Sequence, residues 1–524
     1  MIRRLGDIVI GLMIVAVCCY AVPAYRGPIQ HVQADGTTIT LYQHGDEHFH
    51  YFTNANGQWM EQDERGNYRI VPALNEQEIA IRRAAKSIQQ TGVDRLLSPR
   101  GPVILVSFAD LPFTSTHDEM NDWANGDNYT YNGATGSVRQ YFSDVSYGQY
   151  DLQLDIFGPY TMQNNAAYYG GDSYSDRDTC VNKLIVEACK AAATDGADFS
   201  QYDSNNDGYV DWVVILYAGR SQAEGGPSWT IWPHQFELYY TGSTFQLNGK
   251  YIDHYCVLNE INSSGNRVGI GTFVHEFSHI MGLPDLYETT GQGNWKTNGQ
   301  WDVMDYGPYN NDGNTPPAYS AYERWFMGWL TPTLLNRSVT VSVPDLNESP
   351  AAGIITTSGT HNLSAFNPNP NSYYLVENRQ QTGWDTYLPG HGMLLTHITY
   401  SYTKWLYNSV NNTENQLGVD IIEADGLAPK YKTYDRDNGF FGKAGDAFPT
   451  GATTYEGIQN FKISTIVERN KTISFNLRGG GEVIPLSLEQ TKSEQKSSIK
   501  WMLNGQILIQ RGEAIYDLSG KRIY

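Results

Sequence analysis

Cysteine is scarce, with five in 524 residues. Cys18 and Cys19 fall in an N-terminal apolar run, which leaves Cys180, Cys189 and Cys256. Three thiols cannot all pair within one chain. Cys180 and Cys189 sit on one predicted helix, roughly 13.5 Å apart and beyond disulfide reach, although either is free to pair with Cys256. A disulfide scaffold and a cysteine-type zinc site are both excluded. Positive charge is also short: 36 Lys and Arg stand against 56 Asp and Glu, for a net −20. Phosphate binding needs clustered Lys and Arg, so nothing recommends DNA, RNA or anionic lipid as a partner. There is no glycine-rich phosphate loop beside a strand, no credible Ser/His/Asp set, and no later apolar run of the ~20 residues that cross a bilayer.

The apolar run that does exist, Ile8 to Cys19, is about a dozen residues long and follows Arg3 and Arg4, the pattern of an export signal. Small residues allow cleavage after Ala21 or Ala24. Lipidation at Cys18 or Cys19 is the alternative, with Val17 standing where a small residue is preferred. The implied location is secreted or at the cell surface.

At 40% hydrophobic and 13% aromatic residues, the chain has material for more than one core. Its texture divides into a signal peptide (1–24), an N-terminal pro-region (25–100), a catalytic domain (101–335), a β-rich domain (336–478) and a linker with a C-terminal tail (479–524). The pro-region reads as a β-meander over 37–72, with turns at Asn56-Gly57 and Arg65-Gly66-Asn67, followed by a basic linker that proteases can cut. The run Pro102 to Phe108 is a buried-strand pattern. Tyr209 to Tyr217 is another, and Ser137 to Phe142 and Cys180 to Ala192 have helical spacing. The fold class is therefore α+β, with short alternating strands from about Asn336 suggesting a β-sandwich.

Chemistry concentrates at His275-Glu276-Phe277-Ser278-His279. On a helix, predicted over Val268 to Met281, the two imidazoles lie one turn apart on the same side. Ile270, Phe273, Val274, Phe277, Ile280 and Met281 form the apolar stripe that such a helix buries, so the histidines are expected to face an open cleft. Gly282 ends the helix and Pro284 prevents its continuation. Asp285 then returns as a third metal ligand, with Glu288 as its rival. Three protein ligands leave a fourth position for water, as catalytic zinc requires, and Glu276 is placed to take that water's proton.

The sequence His275-Glu276-x-x-His279-x-x-Gly282-x-x-Asp285, followed by Trp301-Asp302-Val303-Met304, resembles the immune inhibitor A type of bacterial metallopeptidase, a metzincin-like zincin. Tyr202 to Gly208, Ile231 to His234, Gly282 to Tyr287, His44 to His50 and Glu377-Asn378-Arg379 share in that resemblance. It implies a zincin-type catalytic domain with Met304 as the floor beneath the zinc and Tyr306 as a stabiliser of the tetrahedral oxyanion. Asp285 stands where most metzincins have a third histidine.

Asp203, Asn205, Asp207 and Asp211 have the oxygen-ligand spacing of the first part of a calcium loop. Val214 occupies the position of the closing glutamate, so a polar Asx turn is the competing reading. Asp46 or Glu47 of the pro-region offers a carboxylate that would reach into the cleft of a latent form. The last two dozen residues, with strands expected over Gln506–Gln510 and Ala514–Leu518, resemble sorting tails of exported Bacteroidetes proteins. That likeness implies a partner in the export machinery. The combined expectation is an exported zinc endopeptidase acting on proteins or peptides. A non-catalytic surface adhesin on the same scaffold is the alternative.

Overall fold

The computed structural model describes residues 22–46, 50–63, 66–74, 100–171, 178–291, 293–431 and 438–486, together with strands between 498 and 517. The expected signal up to Ala21, the basic linker and Glu47 lie outside the described residues.

The N-terminal region expected to be a pro-region is a five-stranded antiparallel meander in chain order: β1 (Ile29–Val32), β2 (Thr38–Gly45), β3 (His50–Thr53), β4 (Trp59–Gln62) and β5 (Tyr68–Ile70). Gly57, in the expected hairpin turn, has φ 74°, a conformation that costs glycine little.

The catalytic domain is built on β6 (Arg100–Ser107), β7 (Gln153–Thr161), β8 (Val213–Arg220), β9 (His234–Glu237), a β10–β11 hairpin (Phe245–Leu247, Lys250–Ile252) and β12 (His254–Ile261). Its main sheet has the order β7-β6-β8-β12-β9, parallel except for the β9 edge. Parallel strands need helical crossovers, which bury both faces of the sheet. That burial explains the unbroken apolar runs Val103 to Val106 and Val213 to Leu216. Helices α1 (His117–Asn125) and α2 (Val138–Val145) link β6 to β7, while α3 (Ala166–Gly170) and α4 (Val181–Thr194) link β7 to β8. Among the thiols, Cys180, Cys189 and Cys256 are all free, so no bridge to Cys256 forms. The strand expected from Tyr209 begins instead at Val213, because residues 203–211 form a loop.

Helix α5 (Gly271–Ile280) carries the two histidines. Phe277 meets Trp212 edge-on at 4.9 Å and Phe142 at 5.4 Å; Phe273 meets Trp123 at 5.6 Å. These contacts wedge the helix between the sheet and the first two helices. Its start lies so close to the turn at Gly307–Gly313 that a Cβ on Gly271 would stand 2.0 Å from the Pro308 carbonyl oxygen, so only glycine fits. The expected apolar stripe is buried as read. The opposite face is buried too, and every residue from Gly271 to Ile280 is shut from solvent. The open cleft expected from the stripe is covered by residues far away in sequence.

After α6 (Ala321–Phe326) the chain forms two sheets. One is β13-β15-β16-β17-β18 (Thr333–Leu334, Gly353–Ile355, Ser372–Arg379, Gly392–Thr399, Val419–Ile421). The other is β19-β20-β14-β21 (Ile463–Arg469, Thr472–Leu477, Val339–Val343, Val483–Pro485). Alternating burial along β14 and β20 directs Val341, Ile473 and Phe475 into a core shared with Val376 and Leu395. This is the expected sandwich, extended past Gly479–Gly481 by β21. The first sheet sends Tyr373, Leu375 and Ile398 the other way, into the catalytic core. The tail forms three strands, β22 (Ser498–Leu503), β23 (Gln506–Arg511) and β24 (Ala514–Asp517), rather than two.

Candidate active site

The chain leaves α5 through a two-bond turn. Leu283 N–H donates to the Ser278 carbonyl and Gly282 N–H to that of His279, with Gly282 at φ 93°. This is a left-handed C-terminal cap, and it needs glycine. The turn swings Leu283 back so that its carbonyl accepts the His279 Nδ1–H at 2.7 Å. His275 Nδ1–H donates likewise to the Val303 carbonyl at 2.8 Å, in the Trp301–Met304 turn. With both Nδ1 atoms carrying protons, each Nε2 presents a lone pair, and the two point at each other across 3.1 Å.

Asp285 completes a triangle, its Oδ1 lying 3.2 Å from each Nε2. That oxygen is buried and has no hydrogen-bond donor. Three converging lone pairs repel unless a cation lies among them. Tetrahedral ligands about 2.0–2.1 Å from zinc stand roughly 3.3 Å apart, so the observed triangle fits such an ion. Burial lowers the His279 pKa, keeping the ring neutral as a ligand must be. Glu288, the rival ligand, is turned away, accepting from Gly293 N at 2.8 Å and also from Thr290 N.

Asn408, at the end of α7 (Tyr402–Leu406), clamps Asp285 on two sides. Its Nδ2 donates to Asp285 Oδ2 at 2.5 Å and its Oδ1 accepts from Asp285 N at 2.7 Å. Asn411 donates to the Leu286 carbonyl, and Asn412 accepts from Thr289 N. Sequence reading missed this trio, whose asparagine-rich stretch looks like any turn. An Asn408→Ala chain is expected to bind its metal about 10–100-fold more weakly with its fold retained, by analogy with lost partners of ligands in other metal sites. Titration against a competing chelator checks this.

Glu276 lies on the same helix, and its Oε1 accepts the backbone N–H of Val22 at 2.7 Å. The segment after Val22 runs through the cleft. Trp232 Nε1 donates to the Val22 carbonyl at 3.1 Å and Tyr309 OH to that of Pro23 at 2.6 Å; Tyr25 N–H donates to the Ala223 carbonyl. Val22 and Ala24 pack with Ala223 and Trp232. The group seen at Glu276 is thus a main-chain N–H next to the expected signal cleavage site.

Tyr306 lies one aromatic step from the metal ligands. Its ring centroid is 6.4 Å from that of Tyr287, which is 6.5 Å from His275. Burial raises the phenol well above its ordinary pKa, so the hydroxyl keeps its proton. Met304 is fully buried beside it, its N–H donating to Asp302 Oδ1.

Three residues of the calcium reading share one turn, the Asp207 N–H donating to Asp203 Oδ1 at 3.1 Å and to Asn205 Oδ1 at 3.0 Å. Asp203 pairs with Lys250 at 2.5 Å and accepts from Gly208 N; Asp207 accepts from Tyr209 N, Asn205 bonds to Asp207, and Asp211 accepts from Ser204 Oγ. The Lys250 ammonium meets one of these carboxylates, and the hydrogen bonds among them are those of an Asx turn. His234 is structural, bonded to the Trp232 carbonyl and Tyr255 OH.

Glu224 follows Ala223 in the cleft wall. Burial, reinforced by Asp312, raises its pKa to about 7. A raised folded-state pKa favours folding at low pH, an advantage lost as pH climbs towards 7. Glu224→Gln removes that dependence. The variant is expected to be more stable than wild type at pH 8, by up to about 3 kcal/mol, with the gap closing below pH 4.5. Denaturant melts at both pH values test this.

An α+β domain whose buried helix presents two histidines and a glutamate, with a third ligand just beyond a glycine turn, defines the zincin class of metallopeptidase. The chain matches the catalytic domain of immune inhibitor A peptidase M6 over residues 108–330. Over 285 residues it is 28% identical to the pre-pro-metalloprotease PrtV of Vibrio cholerae, covering 46% of this chain and 30% of that protein. It is 28% identical over 219 residues to immune inhibitor A of Bacillus thuringiensis subsp. alesti, covering 36% of this chain and 31% of that protein. The matched region thus spans under a third of these relatives' length.

Proposed function

We propose that the chain is an exported zinc endopeptidase held latent by its own N-terminal segment. The observation that carries this is the triangle of lone pairs from His275, His279 and Asp285, with Glu276 one residue along the helix from His275. Zinc suits two imidazoles and a carboxylate, and when bound it polarises a carbonyl and brings the pKa of a water to around 7. The chain's own groups do the rest. Glu276, shielded from bulk solvent, takes a proton from the attacking water and returns it to the leaving amine. Tyr306, protonated, donates to the oxygen that gains charge when the scissile carbonyl becomes tetrahedral. Asn408 holds Asp285 and the Val303 and Leu283 carbonyls hold the imidazoles, so the ligands need little reorganisation.

Export rests on the N-terminal signal pattern; among the described residues, no helix is long and apolar enough to cross a membrane. Recognition of the tail by export machinery rests on the likeness of its sequence. An adhesin would have no use for a glutamate beside the metal triangle. The purified chain, once processed, should carry one zinc and hydrolyse casein. Chelation should abolish that activity, and stoichiometric zinc should restore it. Metal-free protein that still cleaves casein would overturn the proposal.

A further inference from the structure

Arg26 lies on the segment that fills the cleft, and its guanidinium is held in an aromatic cage. Its Cζ is 4.7 Å from the centre of the Tyr431 ring, 5.1 Å from that of Tyr306 and 5.8 Å from that of Phe440. Phe441 completes the wall, 4.9 Å from Tyr306 and 5.1 Å from Phe440. Glu288 supplies negative charge close enough to influence the guanidinium, and its carboxylate is fixed by Thr290 and Gly293. Tyr431 is tied to the same loop, its N–H donating to the Asn294 carbonyl.

Tyr51 and His44 of the N-terminal meander back the cage, His44 lying 5.6 Å from Tyr431 and stacking on Tyr51, but three features attach its walls to the enzyme. Tyr306, Tyr431, Phe440 and Glu288 all follow the linker in sequence, so they stay when the pro-region leaves. The cage shares Tyr306 with the candidate site, Tyr287 standing between that ring and His275. Its hold on Arg26 is general: the Arg26 Nε is buried without a hydrogen-bond partner. The cage selects a flat or extended cation through ring faces and a nearby carboxylate, a mode that any arginine or lysine side chain satisfies.

We infer that the Tyr306–Tyr431–Phe440 cage with Glu288 is a substrate subsite for an arginine or lysine side chain on the leaving-group side of the scissile bond, occupied by Arg26 in the latent chain. This rests on the peptidase reading above. The side follows from the direction of the segment, because Val22 presents its nitrogen to Glu276 and Arg26 comes after it.

Two measurements on the processed enzyme test this. In the first, a proteome-derived peptide library is digested and the new N-termini are sequenced by mass spectrometry. Arginine and lysine should be enriched at least threefold near the fifth position after the cut, where Arg26 falls when Val22 stands at the first. Tyr431→Ala and Glu288→Gln should flatten that enrichment while cleavage continues. In the second, which needs no turnover, the peptide Val-Pro-Ala-Tyr-Arg-Gly-Pro-Ile, matching residues 22–29, is titrated calorimetrically. Replacing its arginine with alanine should weaken binding at least tenfold, and Tyr431→Ala in the enzyme should erase that difference. Equal binding of the two peptides, or a library cut without basic preference, overturns the subsite. An enzyme that binds the peptides as expected but cuts nothing instead overturns the peptidase reading.

Discussion

A Glu276→Gln chain is expected to bind one metal ion, as the wild type does, and to lose about 10²–10⁴-fold in kcat/KM, the usual contribution of a positioned proton carrier. The amide keeps the shape of the carboxylate and can still accept the Val22 N–H, so the fold has no reason to change. It cannot take a proton from water. His279→Ala is the contrasting variant, because it opens the triangle and should lose metal and activity together. Metal analysis beside kinetics on the processed forms separates the two. Retention of more than a tenth of wild-type activity by Glu276→Gln would remove the glutamate from the chemistry.

Beginning the chain at Gly27 is expected to raise the activity of otherwise unprocessed protein about 100-fold. Residues 22–26 hold the cleft with main-chain hydrogen bonds, a packed valine and a caged arginine. Because the segment is tethered, its effective concentration reaches the millimolar range, and a competing peptide must displace it. Signal cleavage after Ala21 would turn the Val22 nitrogen into an α-amine, which as an ammonium group adds charge to the contact with Glu276. Cleavage after Ala24 would delete the contact. Mass determination of the exported N-terminus distinguishes the two, and a fluorogenic peptide assay reads the latency. Equal activity of the full and shortened chains would end the case for self-inhibition.

Local patterns in the sequence were reliable guides to this site. Helical spacing sets His275 and His279 on one side, Gly282 turns the chain, and Asp285 arrives where the turn delivers it. Each step spans a few residues and depends on backbone geometry that the residue types impose. The errors came from long-range contacts. The apolar stripe of α5 implied a solvent-facing opposite side, but a helix also loses exposure when distant chain covers it, here from 254 residues away at Val22. Asn408 reaches Asp285 across 123 residues, and no spacing rule carries that far. The contact of Lys250 with Asp203, made from a separate hairpin, was likewise beyond the reach of local spacing. The β-rich region was legible as alternating strands, but its second buried face, packed on the catalytic core, was not.

The asparagine clamp on Asp285 also bears on where this protein can be cut. The region matched by the family ends at residue 330, yet the side chains that fix the third ligand come from 408 to 412. A fragment trimmed to the matched region would keep both imidazoles and lose the brace on the carboxylate. Its grip on the ion would then rest on a loop free to swing. On the metallopeptidase reading the β-rich region is therefore a working part of the candidate metal site, and the smallest fragment expected to keep an ion runs well past residue 330.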